Sequence, residues 1–170
     1  MKFVQVPDDM QMATKALPMS RGEFEARNQI ELHEPQKLQE LAELQRVTDP
    51  MQRSVMTQML LHNGSMDGMI SVLKKNFPAL QNVDEYTQQI LVNLYRSNPS
   101  AEDRTALIQL MPLIGRLPEG ARNHAVEQLI RMGDQGLQNA AQRLENSNVP
   151  FMDSFNYETG MDFARQIFGS

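Results

Sequence analysis

The chain of 170 residues sets 21 acidic against 16 basic side chains, for a net charge of −5, with 41% hydrophobic residues, 13 methionines and no cysteine or tryptophan. That length favours one domain with a modest core and argues against wholesale disorder, while the missing thiol excludes disulfide scaffolds, thiol catalysis, iron–sulfur clusters and cysteine-held zinc. The acidic balance argues against a polyanion as principal partner, because nucleic-acid affinity comes largely from Lys and Arg releasing counterions.

Residues 1–33 read as an irregular N-terminal arm. Lys2 to Val6 has the composition of a short edge strand ended by Pro7. Met1 to Asp9 carries one positive charge and no apolar stretch, so no cleavable secretory signal is expected. A cytoplasmic location is the default expectation, with export independent of a signal peptide, or incorporation into a virion, as alternatives. Ser20-Arg21-Gly22-Glu23 has capping-box spacing and predicts a short helix from Arg21 into Leu32, the alternative being a mobile arm.

A helical domain is expected over 34–149. Pro35 suits a first turn, and Leu38, Leu41, Leu44 and Val47 form one dry stripe. Asp49-Pro50 opens a second helix with Val55, Met56, Met59 and Leu60 inward, and Gly64 is expected to end it in the left-handed conformation. Ser65 caps a helix carrying Met66, Met69, Ile70 and Leu73. Asn82 or Asp84 opens the next, with Tyr86, Ile90, Leu91, Leu94 and Tyr95 on its inner side. Ser100 starts a helix bearing Leu107, Ile108, Leu110 and Met111, which Pro112 should kink or end. Pro118 begins one with Ala121, Ala125, Leu129 and Ile130, stopped by Gly133, and Asp134 caps a last one with Leu137, Ala140, Ala141 and Leu144. Strand signals are nearly absent between these segments, so the class is all-α, either a compact multi-helix bundle or a short array of helical hairpins. The longest apolar run, Leu110 to Ile114, is far short of the roughly 20 residues that span a membrane.

Three helix pairs, Pro50 to Asn76, Val83 to Ile114 and Pro118 to Asn146, begin roughly 33–35 residues apart. Arg53, Arg104 and Arg122 are each followed eleven positions later by a glycine: Gly64, Gly115 and Gly133. Leu129-Ile130-Arg131-Met132-Gly133-Asp134-Gln135-Gly136-Leu137, with Ala140, Ala141 and Leu144, resembles the turn region of HEAT-type repeats, and Leu60 to Met69 followed by Leu73 is a looser echo. The resemblance implies a scaffold with a concave peptide-binding face rather than an enzyme, and it transfers no catalytic residue.

No constellation for chemistry emerges. His33, His62 and His124 lack metal-ligand spacing and read as surface or satisfied histidines. The carboxylate pairs Asp84-Glu85 and Glu102-Asp103 fall in first helical turns, where they offset the helix dipole. No metal, cofactor or catalytic residue is therefore assigned. Lys74, Lys75, Arg21, Arg46, Arg53 and Arg96 would form a basic patch only if the fold gathered them. A helix-turn-helix reading of Leu129 to Leu144 would place Asp134, Gln135, Gln138, Asn139, Gln142, Arg143 and Glu145 on a recognition helix, two acids and one arginine being poor phosphate clamps.

Protein contacts fit better. Methionines run through Met51, Met56, Met59, Met66 and Met69, and thioethers suit adaptable cores and interfaces alike. Residues 150–170 form an aromatic C-terminal tail in which Asp162 to Phe168 can close a helix. Its candidate partner-binding residues are Phe151, Phe155, Tyr157, Met161, Phe163, Ile167 and Phe168, which either dock into a partner's groove or fold back on their own domain. The expected function is a non-enzymatic interaction module, an adaptor or assembly subunit, with a bacterial secretion-related or exported protein and a phage assembly protein both open as origins. The partner is protein, a second copy of the chain included. The alternative is a small helical nucleic-acid-associated regulator.

Overall fold

A computed structural model describes residues 3–4, 18–98, 100–150 and 154–170. The described residues form an all-α chain, as the periodicity predicts, apart from an antiparallel ladder in which β1 (Phe3–Val4) pairs with β2 (Met19–Ser20). The helices are α1 (Arg21–His33), α2 (Leu38–Leu44), α3 (Pro50–Leu61), α4 (Met66–Asn76), α5 (Glu85–Ser97), α6 (Ala101–Arg116), α7 (Glu119–Glu145) and α8 (Tyr157–Phe168). Single 3-10 segments, Pro35–Lys37 and Pro78–Asn82, precede α2 and α5. No helix among the described residues is long and apolar enough to cross a membrane. The chain divides into two compact units, Met1–Val72 and Leu73–Ser170.

In the N-terminal unit, helix starts follow local chemistry. Ser20 Oγ accepts from Glu23 N at 3.1 Å, and Asp49 Oδ1 accepts from Gln52 N at 2.9 Å beside first-turn Pro50. Every residue from Arg53 to Leu60 is buried, so α3 is the central helix on which α1 and α2 pack. Ile30, Leu41 and Leu60 form one apolar cluster, edged by Leu44 and Leu61, while Leu38 stays largely exposed.

A helix buried all round must satisfy its polar side chains internally. Ser20 and Ser54 share a hydroxyl–hydroxyl bond, Gln58 Nε2 donates to Ser54 Oγ at 3.0 Å, and Thr57 Oγ1 donates to Arg53 O at 2.8 Å. Arg53 is 1% exposed and therefore lies outside any surface basic patch. Its Nε donates to Glu23 Oε2 at 2.8 Å, Nη1 to Val47 O at 3.2 Å, and Nη2 to Pro18 O. One guanidinium thus fastens α1, the segment before β2 and the approach to α3. Gly64 departs from expectation. The positive-φ glycines among the described residues are Gly133 and Gly169, and α3 ends at Leu61, where the amide of cap residue His62 donates to Gln58 O.

In the C-terminal unit, Asp84 Oδ2 accepts from Thr87 N at 3.0 Å and Ser100 Oγ from Asp103 N at 3.3 Å, launching α5 and α6. The inner face of α5 is Thr87, Gln88, Leu91, Val92 and Tyr95, so Tyr86 points to solvent, a correction to the expected stripe. Gln88 faces inward because its Nε2 donates to Leu80 O at 2.9 Å and Val83 O at 3.1 Å. Pro112 does not end α6, which continues to Arg116. Leu110, Met111, Leu113 and Ile114 around it are fully buried, and their packing offsets the backbone bond that proline removes. Gly133 divides α7 into two arms, 119–132 and 134–145, at φ 65° and ψ −151°, a region essentially restricted to glycine. Ala121, Ala125 and Leu129 are buried, whereas Ile130, one position round the helix, is exposed.

Candidate interaction site

The C-terminal tail is built into the core of its own unit. Phe155 N donates to Arg116 O at 3.3 Å, the Arg116 guanidinium lies 5.4 Å from the Phe155 ring centre, and the Phe155 and Phe163 rings sit 5.1 Å apart. Asn156 Oδ1 then caps α8 by accepting from Thr159 N at 2.8 Å. Gly160 permits the close approach of α8 to the start of α7, since a Cβ there would stand 2.4 Å from Pro118 Cδ. At its other end α8 is clamped by two side chains of α7. Arg143 Nη1 donates to Ile167 O at 3.1 Å, and His124 Nε2 lies 2.6 Å from Gly169 O. A helix C-terminus leaves its last carbonyls without intrahelical partners, and basic side chains meet that need.

The seven tail residues named as candidates, to dock on a partner or to fold back, have different fates. Phe151 lies outside the described residues. Phe155, Ile167 and Phe168 are buried within the unit, Met161 and Phe163 are half-buried, and Tyr157 is 60% exposed with its ring edge over Gly120. The tail helix starts five residues before the predicted Asp162, because Asn156 supplies a cap that its spacing to Thr159 encodes.

The return of α8 against the second arm of α7 creates a groove of about 510 Å³ lined by Asn139, Gln142, Arg143, Asn146, Ser147 and Gln166. That volume lies in the range of small-molecule and peptide-segment sites, roughly 300–1,000 Å³. The lining has four carboxamides, a guanidinium and a hydroxyl, and no carboxylate. The Ser147 hydroxyl is committed to Leu144 O at 2.7 Å, and Asn139 Oδ1 accepts from Gln135 Nε2 at 3.5 Å. The side-chain carboxamides of Gln142, Asn146 and Gln166 make no hydrogen bond among the described residues and so present open donors and acceptors.

Asn139, Gln142 and Arg143 belong to the arm that the helix-turn-helix reading singles out by its amides. Asn146, Ser147 and Gln166 carry no such signal, because only the return of α8 brings Gln166 to the other side. His33 ends α1 and His62 caps α3, and no metal-holding cluster of His, Asp and Glu occurs among the described residues. The inner carboxylate of the Glu102-Asp103 pair is bonded to Gln138 Nε2 at 2.6 Å, tying α6 to α7. No family model, curated protein or solved structure matches the chain.

Proposed function

We propose that the chain is a non-enzymatic protein–protein interaction module, an adaptor or a subunit of a larger assembly, whose C-terminal unit offers the groove between α7 and α8 to a partner. The observation that carries this reading is the set of unbonded carboxamides of Gln142, Asn146 and Gln166, held on two helices that Arg143 and His124 lock together. Locking the two helices fixes the spacing at which these side chains are presented, so binding does not have to order the main chain beneath them. Tyr157, exposed at the far end of α8, adds an aromatic residue of the type that anchors interfaces.

A helical-hairpin organisation of the HEAT type is supported by one recurrence. Arg53, Arg104 and Arg122 each stand fourth in their helix, and each guanidinium reaches back to a preceding main-chain carbonyl: Val47 at 3.2 Å, Tyr95 at 3.0 Å and Leu117 at 3.0 Å. The same residue type does the same work at three helix starts.

The test is affinity capture from the native host with mass spectrometry, comparing the wild type with Gln142→Glu/Gln166→Glu. Proteins captured by the wild type and lost by the variant, at equal thermal stability, are the expected result. Capture of nothing overturns the role, and capture indifferent to the substitutions overturns the site.

A further inference from the structure

We infer that the groove takes an extended acidic peptide segment, its main chain read by the carboxamides and one of its carboxylates received by Arg143. The inference rests on the interaction-module reading and names the chemistry of the partner.

The carboxamide is the peptide bond's own functional group, a donor beside an acceptor, and it pairs with main-chain N–H and C=O whatever the ligand's sequence. Asn139 and Gln142 of α7 and its cap residue Asn146 recur at helical spacing. At about 1.5 Å per residue the first and last lie about 10 Å apart, the span of roughly three extended residues at about 3.3 Å each. Gln166 meets them from α8, so an extended chain lying in the groove has amides on both flanks.

Arg143 supplies the charge preference. Its Nη1 donates to Ile167 O at 3.1 Å, which restrains the guanidinium and leaves the Nε–Nη2 edge for a second partner. That edge matches a carboxylate in the side-on bidentate geometry, and a guanidinium already restrained at one nitrogen loses less freedom on taking it. The lining holds no acid, so Arg143 is its formal charge, and it offsets the partial negative charge of the last carbonyls of α7 and α8, which both end at the groove. A polynucleotide fits poorly, since its affinity depends on several cations neutralising successive phosphates and the lining holds one.

The test uses the full chain and three fluorescein-labelled decapeptides: alternating Ser and Glu, alternating Ser and Gln, and the Ser-Glu peptide with N-methylated main-chain amides. Anisotropy reads affinity, and side-chain amide resonances of the isotope-labelled protein report the place. The Ser-Glu peptide should bind saturably and shift the NH₂ signals of Asn139, Gln142, Asn146 and Gln166. The Ser-Gln peptide should bind about tenfold more weakly, as should the Ser-Glu peptide to Arg143→Gln. Arg143→Lys should fall between, because an ammonium is a point charge without the fork. N-methylation should weaken binding further by removing the donors the amides read. Gln142→Ala/Asn146→Ala leaves the Arg143–Ile167 bond in place and should lower affinity without moving the melting temperature, which covers the case in which Arg143 variants loosen α8.

No saturation up to about 1 mM, equal affinity for the Glu and Gln peptides, or tighter binding of inorganic tripolyphosphate at the same resonances would each overturn the inference. The interaction-module reading fails separately. Host proteins whose capture depends on Gln142 and Gln166 keep the module while the acidic-peptide assignment falls.

Discussion

Each unit sets an arginine at the fourth position of a helix against a carboxylate from another segment, and the two pairs differ in access to water. In the N-terminal unit Arg53 and Glu23 meet at 2.8 Å with 1% and 0% of their side chains exposed. In the C-terminal unit Arg122 and Asp84 stand 4.0 Å apart, with Arg122 10% and Asp84 51% exposed. The carboxylates respond in opposite directions. Burial pushes the Glu23 carboxyl above its ordinary value, outweighing the bond and charge of Arg53. Asp84 is held below its ordinary value, first by the hydroxyl and then by the main-chain N–H of Thr87, with Arg122 the smallest contributor. The number of cations nearby does not decide the direction. Loss of hydration does, in the one place where it is complete.

Breaking the sealed pair gives the largest expected effect. Arg53→Met leaves a buried carboxylate with one oxygen, Oε1, already unpartnered, and frees the carbonyls of Val47 and Pro18. A loss of about 3–5 kcal/mol in urea unfolding is expected, as for other buried pairs that lose one member. Adding Glu23→Leu should recover much of it, because the desolvated charge is then gone. A double variant as weak as the single one would show that the bonds to Val47 and Pro18, and not the ion pair, hold the unit together.

The C-terminal unit has its own critical point in backbone geometry. Gly133→Ala places a Cβ in open space, with nothing within 4 Å, so its cost is conformational alone. About 1–3 kcal/mol is expected from the forced φ and ψ, read by urea unfolding, together with faster amide exchange in the second arm of α7. Smaller again is Asp84→Ala, which removes the cap on Thr87 N and should cost about 0.5–2 kcal/mol. Asp84→Asn keeps an acceptor at that position, so it should recover most of the loss.

The comparison also shows which parts of the fold are written locally. Ser20, Asp49, Asp84 and Ser100 begin helices because each accepts the amide three residues on, a relation visible within four letters. The interruption at Gly133 is equally local. Arg53 is not, since its burial depends on Glu23 thirty residues earlier, and Glu23 itself reads as the second half of a capping box. Tyr86 and Ile130 lie one position off the true inner faces, where a bonded Gln88 and a row of small alanines take the places a hydrophobic pattern reserves for large residues. The groove was half legible. The amides of α7 stand out in the sequence, but the opposing wall depends on α8 returning under the clamps of His124 and Arg143.

The finest discrimination between the units is the sign of their acid response. Because Glu23 has a raised folded-state pKa, its contribution to stability is fully present below its ordinary value of 4.5 and is lost as pH rises through the folded value. Asp84, with a lowered pKa, contributes above its ordinary value of 3.8 and loses that contribution as pH falls through its folded value. Neutral isosteres remove each dependence. Across a series of urea midpoints from pH 3 to pH 7, Glu23→Gln should therefore gain on the wild type as pH rises, and Asp84→Asn should lose ground to it. Both slopes should be shallower than the effect of removing the Asp84 cap. Parallel slopes would mean that Arg53, rather than dehydration, governs the Glu23 carboxyl.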